Sequence, residues 1–70
     1  MNIKMVRIGM FYETFNEDAI ETICAVLPLH RTKTRSGLPI VGFPVWEKQF
    51  IVQLEQAGHT VEITNEKVTL

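Results

Sequence analysis

Residues 9–19 read GMFYETFNEDA, and they join a predicted first strand to a predicted first helix. The strand covers residues 3–10, where apolar side chains on both alternating faces indicate an interior position in a sheet. Gly9 would let the backbone pass close to another body. Phe11 and Glu13 then fall on one side of the extended chain. A bulky ring beside a carboxylate is unusual for a core position, which makes this segment the main functional candidate.

A first helix is predicted over residues 15–27, where apolar residues recur at intervals of three and four and give one buried stripe. Two N-terminal caps fit the sequence. One is a capping box formed by Thr14 and Glu17, and the other is Asn16 as a simple N-cap. Pro28 ends the helix because proline cannot continue it.

The segment after this helix alternates in a way that is typical of a strand over residues 29–35. Arg31, Lys33 and Arg35 fall on one side, so the strand has a basic face and is expected at a sheet edge. Charge of this kind protects an edge strand from pairing with another chain.

The remaining elements complete a predicted order βαββαββ. They are a short strand at 40–43, a helix at 45–57 entered through Pro44 and closed by Gly58, and strands at 59–64 and 67–70. The expected fold class is α/β (α+β), with a mixed sheet of four to five strands and two packed helices. The 70 residues are expected to form one domain over 1–70.

Composition narrows the possible functions. The net charge is −1, so the strong basic excess typical of sequence-independent DNA binding is absent. Cys24 is the only cysteine, and His30 and His59 lie on separate predicted strands, so neither a metal site nor another cofactor is predicted. No apolar run approaches a membrane span or a signal peptide, and we therefore expect a cytoplasmic protein without membrane contact.

The order of motifs resembles the N-terminal mismatch-recognition domain of MutS mismatch-repair proteins. Gly9–Ala19 is similar to the family signature G-D-F-Y-E-x-F-x-x-D-A. Four later segments follow in the family's order over roughly residues 7–64, namely Thr32–Arg35, Gly37–Ile40, Gly42–Pro44 and Ala57–Ile63. The resemblance implies the MutS domain I fold and a role in reading mispaired or distorted duplex DNA, without ATP hydrolysis or other catalysis.

The resemblance also implies roles for individual residues. In the family, the phenylalanine of the signature enters the minor groove and stacks at a mispair, and the glutamate two residues later bonds the displaced base. These positions are Phe11 and Glu13 here. Arg31, Lys33 and Arg35 would hold phosphates.

Several features depart from the family pattern and leave alternatives open. Met10 replaces an acidic residue, and Val45-Trp46 replaces a Tyr-His pair. The lever, clamp and ATPase parts of a full MutS do not follow, so a stand-alone copy is expected. Phe11 could instead be a core ring and Glu13 a solvated acid, while Trp46 is expected in the core.

One rival function is therefore a protein-interaction module: an accessory factor, decoy or inhibitor that docks through its sheet edge or its Phe11/Trp46 surface. A small nuclease would need grouped acidic metal ligands at a strand end, where the sequence offers only Glu13.

Overall fold

The computed structural model describes residues 1–65, which form five strands and two helices in the order ββαββαβ. The elements are β1 (Asn2–Ile8), β2 (Phe11–Thr14), α1 (Glu17–Val26), β3 (Thr32–Lys33), β4 (Pro39–Pro44), α2 (Lys48–Gln56) and β5 (Thr60–Asn65). The final strand predicted at 67–70 lies outside the described residues. Neither of these helices is long and apolar enough to cross a membrane.

The strands form one mixed sheet in the order β3-β4-β2-β1-β5. β1 pairs antiparallel with β2 and parallel with β5, and β4 runs antiparallel to both β2 and β3. β1 therefore lies inside the sheet, as its apolar residues on both faces predicted. The expected mixed sheet with two helices is confirmed.

Both helices cover the same face of the sheet. Ile3 and Met5 of β1, Val41 and Phe43 of β4, and Leu54 of α2 belong to one buried cluster with the apolar stripe of α1. The ring of Phe43 anchors this cluster through edge-to-face contacts with Tyr12 at 5.8 Å and Phe50 at 5.4 Å between centroids. The result is a two-layer domain with helices on one side only.

The prediction of one continuous strand over 3–10 was wrong at its end. Gly9 has a φ of +60°, and Met10 completes a two-residue turn after which Phe11–Thr14 forms a separate strand. Positive φ at the first central residue alone is the pattern of a type II′ hairpin turn. A side chain at position 9 would meet nothing within 4 Å in this chain, so the backbone conformation of the turn is what favours Gly9 here.

The helix boundaries resolve the open alternatives. Asn16 is the N-cap of α1, and its Oδ1 accepts a hydrogen bond from the Ala19 N–H at 3.0 Å. The Thr14–Glu17 capping box was wrong, because Thr14 is buried in β2. Pro44 ends β4 and does not open α2, because a turn closed by the Glu47 N–H and the Pro44 carbonyl comes first.

The basic strand is shorter than predicted. β3 contains only Thr32 and Lys33, and Arg31 and Arg35 lie outside it. Its position at the edge of the sheet agrees with the prediction. Gly58, which follows α2 with a φ of +93°, occupies the predicted C-terminal cap position.

Candidate nucleic-acid interface

The sheet has a second face that no helix covers within residues 1–65, and we call it the open face. Side chains alternate along a strand, and cross-strand partners share a face, so the register assigns its members. Its members around the β1–β2 hairpin are Val6 and Ile8 of β1, Phe11 and Glu13 of β2, and Gly42 and Pro44 of β4. None of these residues is buried.

Phe11 stands at the end of the open face where β1 turns into β2. Its cross-strand partners are Ile8 on one side and Pro44 on the other. The ring keeps 46% of its surface exposed, whereas the next residue, Tyr12, points to the helix side and packs against Phe43. Of the adjacent aromatic residues Phe11 and Tyr12, only Tyr12 packs against the core.

Glu13 lies on the same face as Phe11 and directly opposite Gly42 on β4. A Cβ at position 42 would come within 2.9 Å of the Glu13 Cγ and 2.6 Å of the Tyr12 carbonyl oxygen. The Glu13 side chain therefore occupies space that only a glycine leaves open. Gly42 is the close-approach glycine of this site, a role that the sequence did not reveal.

We predict that Gly42→Ala displaces Glu13 and destabilises the domain by about 1–3 kcal/mol, the usual cost of an overpacked site. Urea denaturation of the purified chain measures this loss. Gly37→Ala is a control for the loss of a glycine, because a Cβ there would meet nothing within 4 Å, although its φ of +87° adds backbone strain. A Gly42→Ala variant as stable as the native chain would contradict the close packing.

Arg31 does not join Phe11 and Glu13. Its guanidinium forms a salt bridge with Glu17 in the first turn of α1, on the helix side of the sheet. The hydrogen bond from Arg31 to Glu17 raises the pKa of Arg31 above its usual value. Since Glu17 already neutralises this charge, Arg31 is poorly suited to hold a phosphate.

Lys33 and Arg35 are also distant from the Phe11 end. Lys33 pairs with Pro39, whereas Phe11 pairs with Pro44, so the two sites are separated by about five residues of β4, or roughly 17 Å. The register also places Lys33 on the helix side of the sheet. Arg35 lies in the turn between β3 and β4. Phe11 and Glu13 are therefore brought together without the predicted cations.

The structure brings further residues to the Phe11 end, of which sequence reasoning considered only Trp46, as part of a docking surface for another protein. Arg7 precedes the turn, and its Nε donates to the Gly9 carbonyl oxygen at 3.1 Å. Met10 and Trp46 are exposed there, with Trp46 retaining 62% of its surface, so the expectation of a core tryptophan was wrong. A signal was present in the sequence, because Trp46 follows a Gly-x-Pro step that also suits a turn.

A separate cleft of about 500 Å³ lies beside the C-terminal end of α1, lined by Cys24, Leu27, Pro28, Leu29, His30 and Arg31. It contains neither Phe11 nor Glu13. The candidate interface therefore lies outside this cleft, on an exposed end of the sheet.

Comparison with known proteins agrees with this geometry. The family model described as MutS domain I matches residues 2–69. The DNA mismatch repair protein MutS of Chlorobium chlorochromatii (strain CaD3) is 35% identical over 63 residues, which cover 89% of this chain and 7% of that protein. The MutS of Chlorobium limicola (strain DSM 245 / NBRC 103803 / 6330) is 33% identical over the same shares.

The matched region thus accounts for nearly all of this chain but only a small part of each relative. The chain spans about 7% of the length of these curated relatives. No solved structure matches. Because the family model covers nearly every residue, and both relatives share about a third of the aligned positions, the resemblance in the sequence is confirmed. The chain belongs to the MutS domain I family.

Proposed function

We propose that this domain binds mispaired or otherwise distorted duplex DNA, with Phe11 as a wedge between bases. The observation that carries the proposal is the exposed ring of Phe11, which stands beside Glu13 on a sheet face free of helices. Leaving an aromatic ring exposed in a domain with so small a core is unfavourable for folding. Phe15 is exposed to a similar degree, so what favours a binding role for Phe11 is its position beside Glu13 on the open face.

A ring inserted at a base step must unstack that step, at a cost of a few kcal/mol. A mispair or an unpaired base lowers that cost because its stacking and pairing are already weakened. The wedge would therefore respond to how easily the duplex deforms and not to its sequence. This mechanism needs no metal, cofactor or nucleotide hydrolysis.

Glu13 would supply discrimination against ordinary duplex. A carboxylate in a groove lined by phosphates is repelled unless a donor from a displaced base reaches it. Its placement opposite Gly42 holds the acid close to the sheet, two residues from the wedge. Matched duplex offers no displaced base, so it would meet only the repulsion.

The proposed role places residues 1–70 in the cytoplasm as one DNA-binding domain. Lys33 and Arg35 would make at most peripheral phosphate contacts, because they lie at the other end of β4 from Phe11. With so few cations near the wedge, we expect weak affinity that is best measured at low salt.

The direct test is a fluorescence-anisotropy titration of labelled duplexes at low salt, repeated at higher salt. One duplex carries a G·T mispair, one an unpaired base, and one is fully matched. Tighter binding to the first two supports the proposal. Equal affinity for all three duplexes overturns the proposal. The proposal is also overturned if no duplex binds at protein concentrations that saturate other weak DNA-binding domains.

We predict that Glu13→Gln reduces the preference for mispaired over matched duplex about five-fold. The substitution removes the repulsion that opposes matched duplex and halves the strength of the bond to a displaced base, since charge-assisted hydrogen bonds are roughly twice as strong as neutral ones. The same titration measures the ratio of affinities.

Glu62→Gln is the matched control for this prediction. Glu62 pairs with Lys4 on the open face. The Glu62→Gln substitution therefore removes the same charge from the same side of the sheet, but away from Phe11. If both substitutions change the ratio equally, general charge repulsion explains the effect and Glu13 has no specific role.

The rival function, docking on another protein, is favoured by the near-neutral charge of −1 and by the exposed Trp46 and Phe11. This function predicts that a pull-down with the chain recovers one partner protein at stoichiometric levels. It also predicts that added DNA does not change the amount recovered. The anisotropy titration distinguishes the two functions, because only the first requires a difference between mispaired and matched duplex.

A further inference from the structure

Three large apolar side chains stand exposed at one end of the sheet, and we call this group the aromatic end. Its members are Met10, Phe11 and Trp46, with exposed fractions of 52%, 46% and 62%. Trp46 is the most exposed of the large hydrophobic residues within the described part of the chain. A tryptophan so exposed in a small domain is typical of a binding surface.

Two backbone hydrogen bonds hold the aromatic end together. The Val45 N–H donates to the Met10 carbonyl at 2.9 Å, which ties the β1–β2 turn to the segment after β4. The Glu47 N–H then donates to the Pro44 carbonyl at 3.0 Å and closes the turn that carries Trp46. The tryptophan is therefore presented on braced backbone close to the wedge, and not on a loose loop.

The pairing of Phe11 with Pro44 strengthens this connection. Because Val45 donates to Met10, the Phe11–Pro44 pair falls at a non-hydrogen-bonded position, where proline loses nothing by lacking an N–H. Side chains at such positions lie closer together than at hydrogen-bonded ones. Trp46 follows Pro44 by two residues, in the turn that the Val45–Met10 hydrogen bond ties to the segment just before Phe11.

The charges around the aromatic end are balanced. Arg7 and Lys48 are exposed cations near the two turns, and Glu13 and Glu47 are the nearby acids. Phosphate neutralisation can therefore contribute little net attraction at this end. Binding of DNA here would have to depend on stacking, for which every base offers a face.

We infer that Trp46 is a second DNA-contacting ring, which stacks on a base or sugar next to the position that Phe11 opens. The inference rests on the proposed function and extends it. The domain would thus contact distorted DNA with two rings from adjacent turns, and its affinity would vary only weakly with salt.

The test uses the fluorescence of Trp46, because it is the only tryptophan in the chain. Titration with the G·T duplex should quench or shift its emission with the same midpoint as the anisotropy of labelled DNA. Trp46→Ala should weaken binding to the mispaired duplex roughly five- to one-hundred-fold, in the range found when a stacked ring is removed. Trp46→Phe should retain most of the affinity.

Leu38→Ala provides the matched control, because Leu38 is 55% exposed but follows the β3–β4 turn at the other end of β4. The Leu38→Ala chain should bind the mispaired duplex with the same affinity as the native chain. The logarithm of affinity should fall against the logarithm of salt with a slope of about −2 or less in magnitude, since within residues 1–65 Arg7 and Lys48 are the cations at the aromatic end.

The outcomes separate this inference from the proposed function. One outcome is that DNA binding shows a preference for mispaired duplex that depends on Phe11, while the emission of Trp46 is unchanged and the Trp46→Ala chain binds DNA normally. In that case the proposed role of Trp46 is wrong and the proposed wedge at Phe11 is retained. If neither duplex binds, the proposed function fails and the inference with it. Emission that changes with protein concentration in the absence of DNA would show that another copy covers Trp46, which also overturns the inference.

Discussion

Replacing Phe11 by alanine is expected to abolish the preference for mispaired DNA while leaving the fold intact. Stacking of one aromatic ring on a base contributes about 1–3 kcal/mol, so affinity for the G·T duplex should fall roughly five- to one-hundred-fold. Affinity for matched duplex should change little, because the wedge does not enter an undistorted step. The ratio of the two affinities, measured by anisotropy, should approach one.

Phe15→Ala is the matched control for this experiment. Phe15 is exposed to 41%, close to the 46% of Phe11, but it follows β2 at the end opposite the hairpin turn. It removes the same ring from a similar environment, so binding should be unaffected. A Phe11→Ala chain that keeps its mispair preference would exclude the wedge, and one that unfolds would show that Phe11 stabilises the core.

Phe43→Ala is expected to produce the largest loss of stability of any substitution discussed for this chain. Phe43 is 1% exposed and contacts both Tyr12 and Phe50 edge to face, so its removal opens a cavity between the sheet and α2. Such substitutions cost about 3–5 kcal/mol. In a small domain, this corresponds to a fall in melting temperature of roughly 12–40 °C.

Thermal unfolding followed by circular dichroism measures this loss, and Phe15→Ala again serves as the control. An exposed ring contributes little burial, so its removal should change stability by only about 0.5 kcal/mol. A Phe43→Ala chain that melts near the native temperature would show that the aromatic core is not the main source of stability.

The amino-acid sequence predicts the layers of this fold better than its turns. The apolar stripe of α1 and the two-sided apolar pattern of β1 depend on regular periodicity, and both appear as expected. The hairpin between β1 and β2 was missed because Gly9-Met10 lacks the usual Asn-Gly signal, and β2 has only four residues. The pattern therefore does not predict residues 11–14 as a strand of their own.

The candidate site was predictable in part for a similar reason. The spacing of Phe11 and Glu13 places them on one face in any extended chain, whether or not a turn precedes them. The salt bridge of Arg31 with Glu17 could not be predicted from the sequence, because Glu17 lies fourteen residues earlier and only the packing of α1 brings the two side chains together. The predicted start of α2 was wrong because proline is common at two kinds of position. It occurs at the first residue of a helix, and it also occurs in a strand whose outer edge is unpaired, as at the end of β4.

The one-sided arrangement of the helices also has a consequence for how this domain can vary. The buried cluster faces α1 and α2, whereas Phe11 and Glu13 project from the reverse of the same sheet. Substitutions at these two positions should therefore leave the interior without new cavities. Under the proposed function, laboratory selection for other DNA distortions should accept broad libraries at positions 11 and 13, while Gly42 must stay small to leave room for the side chain at position 13.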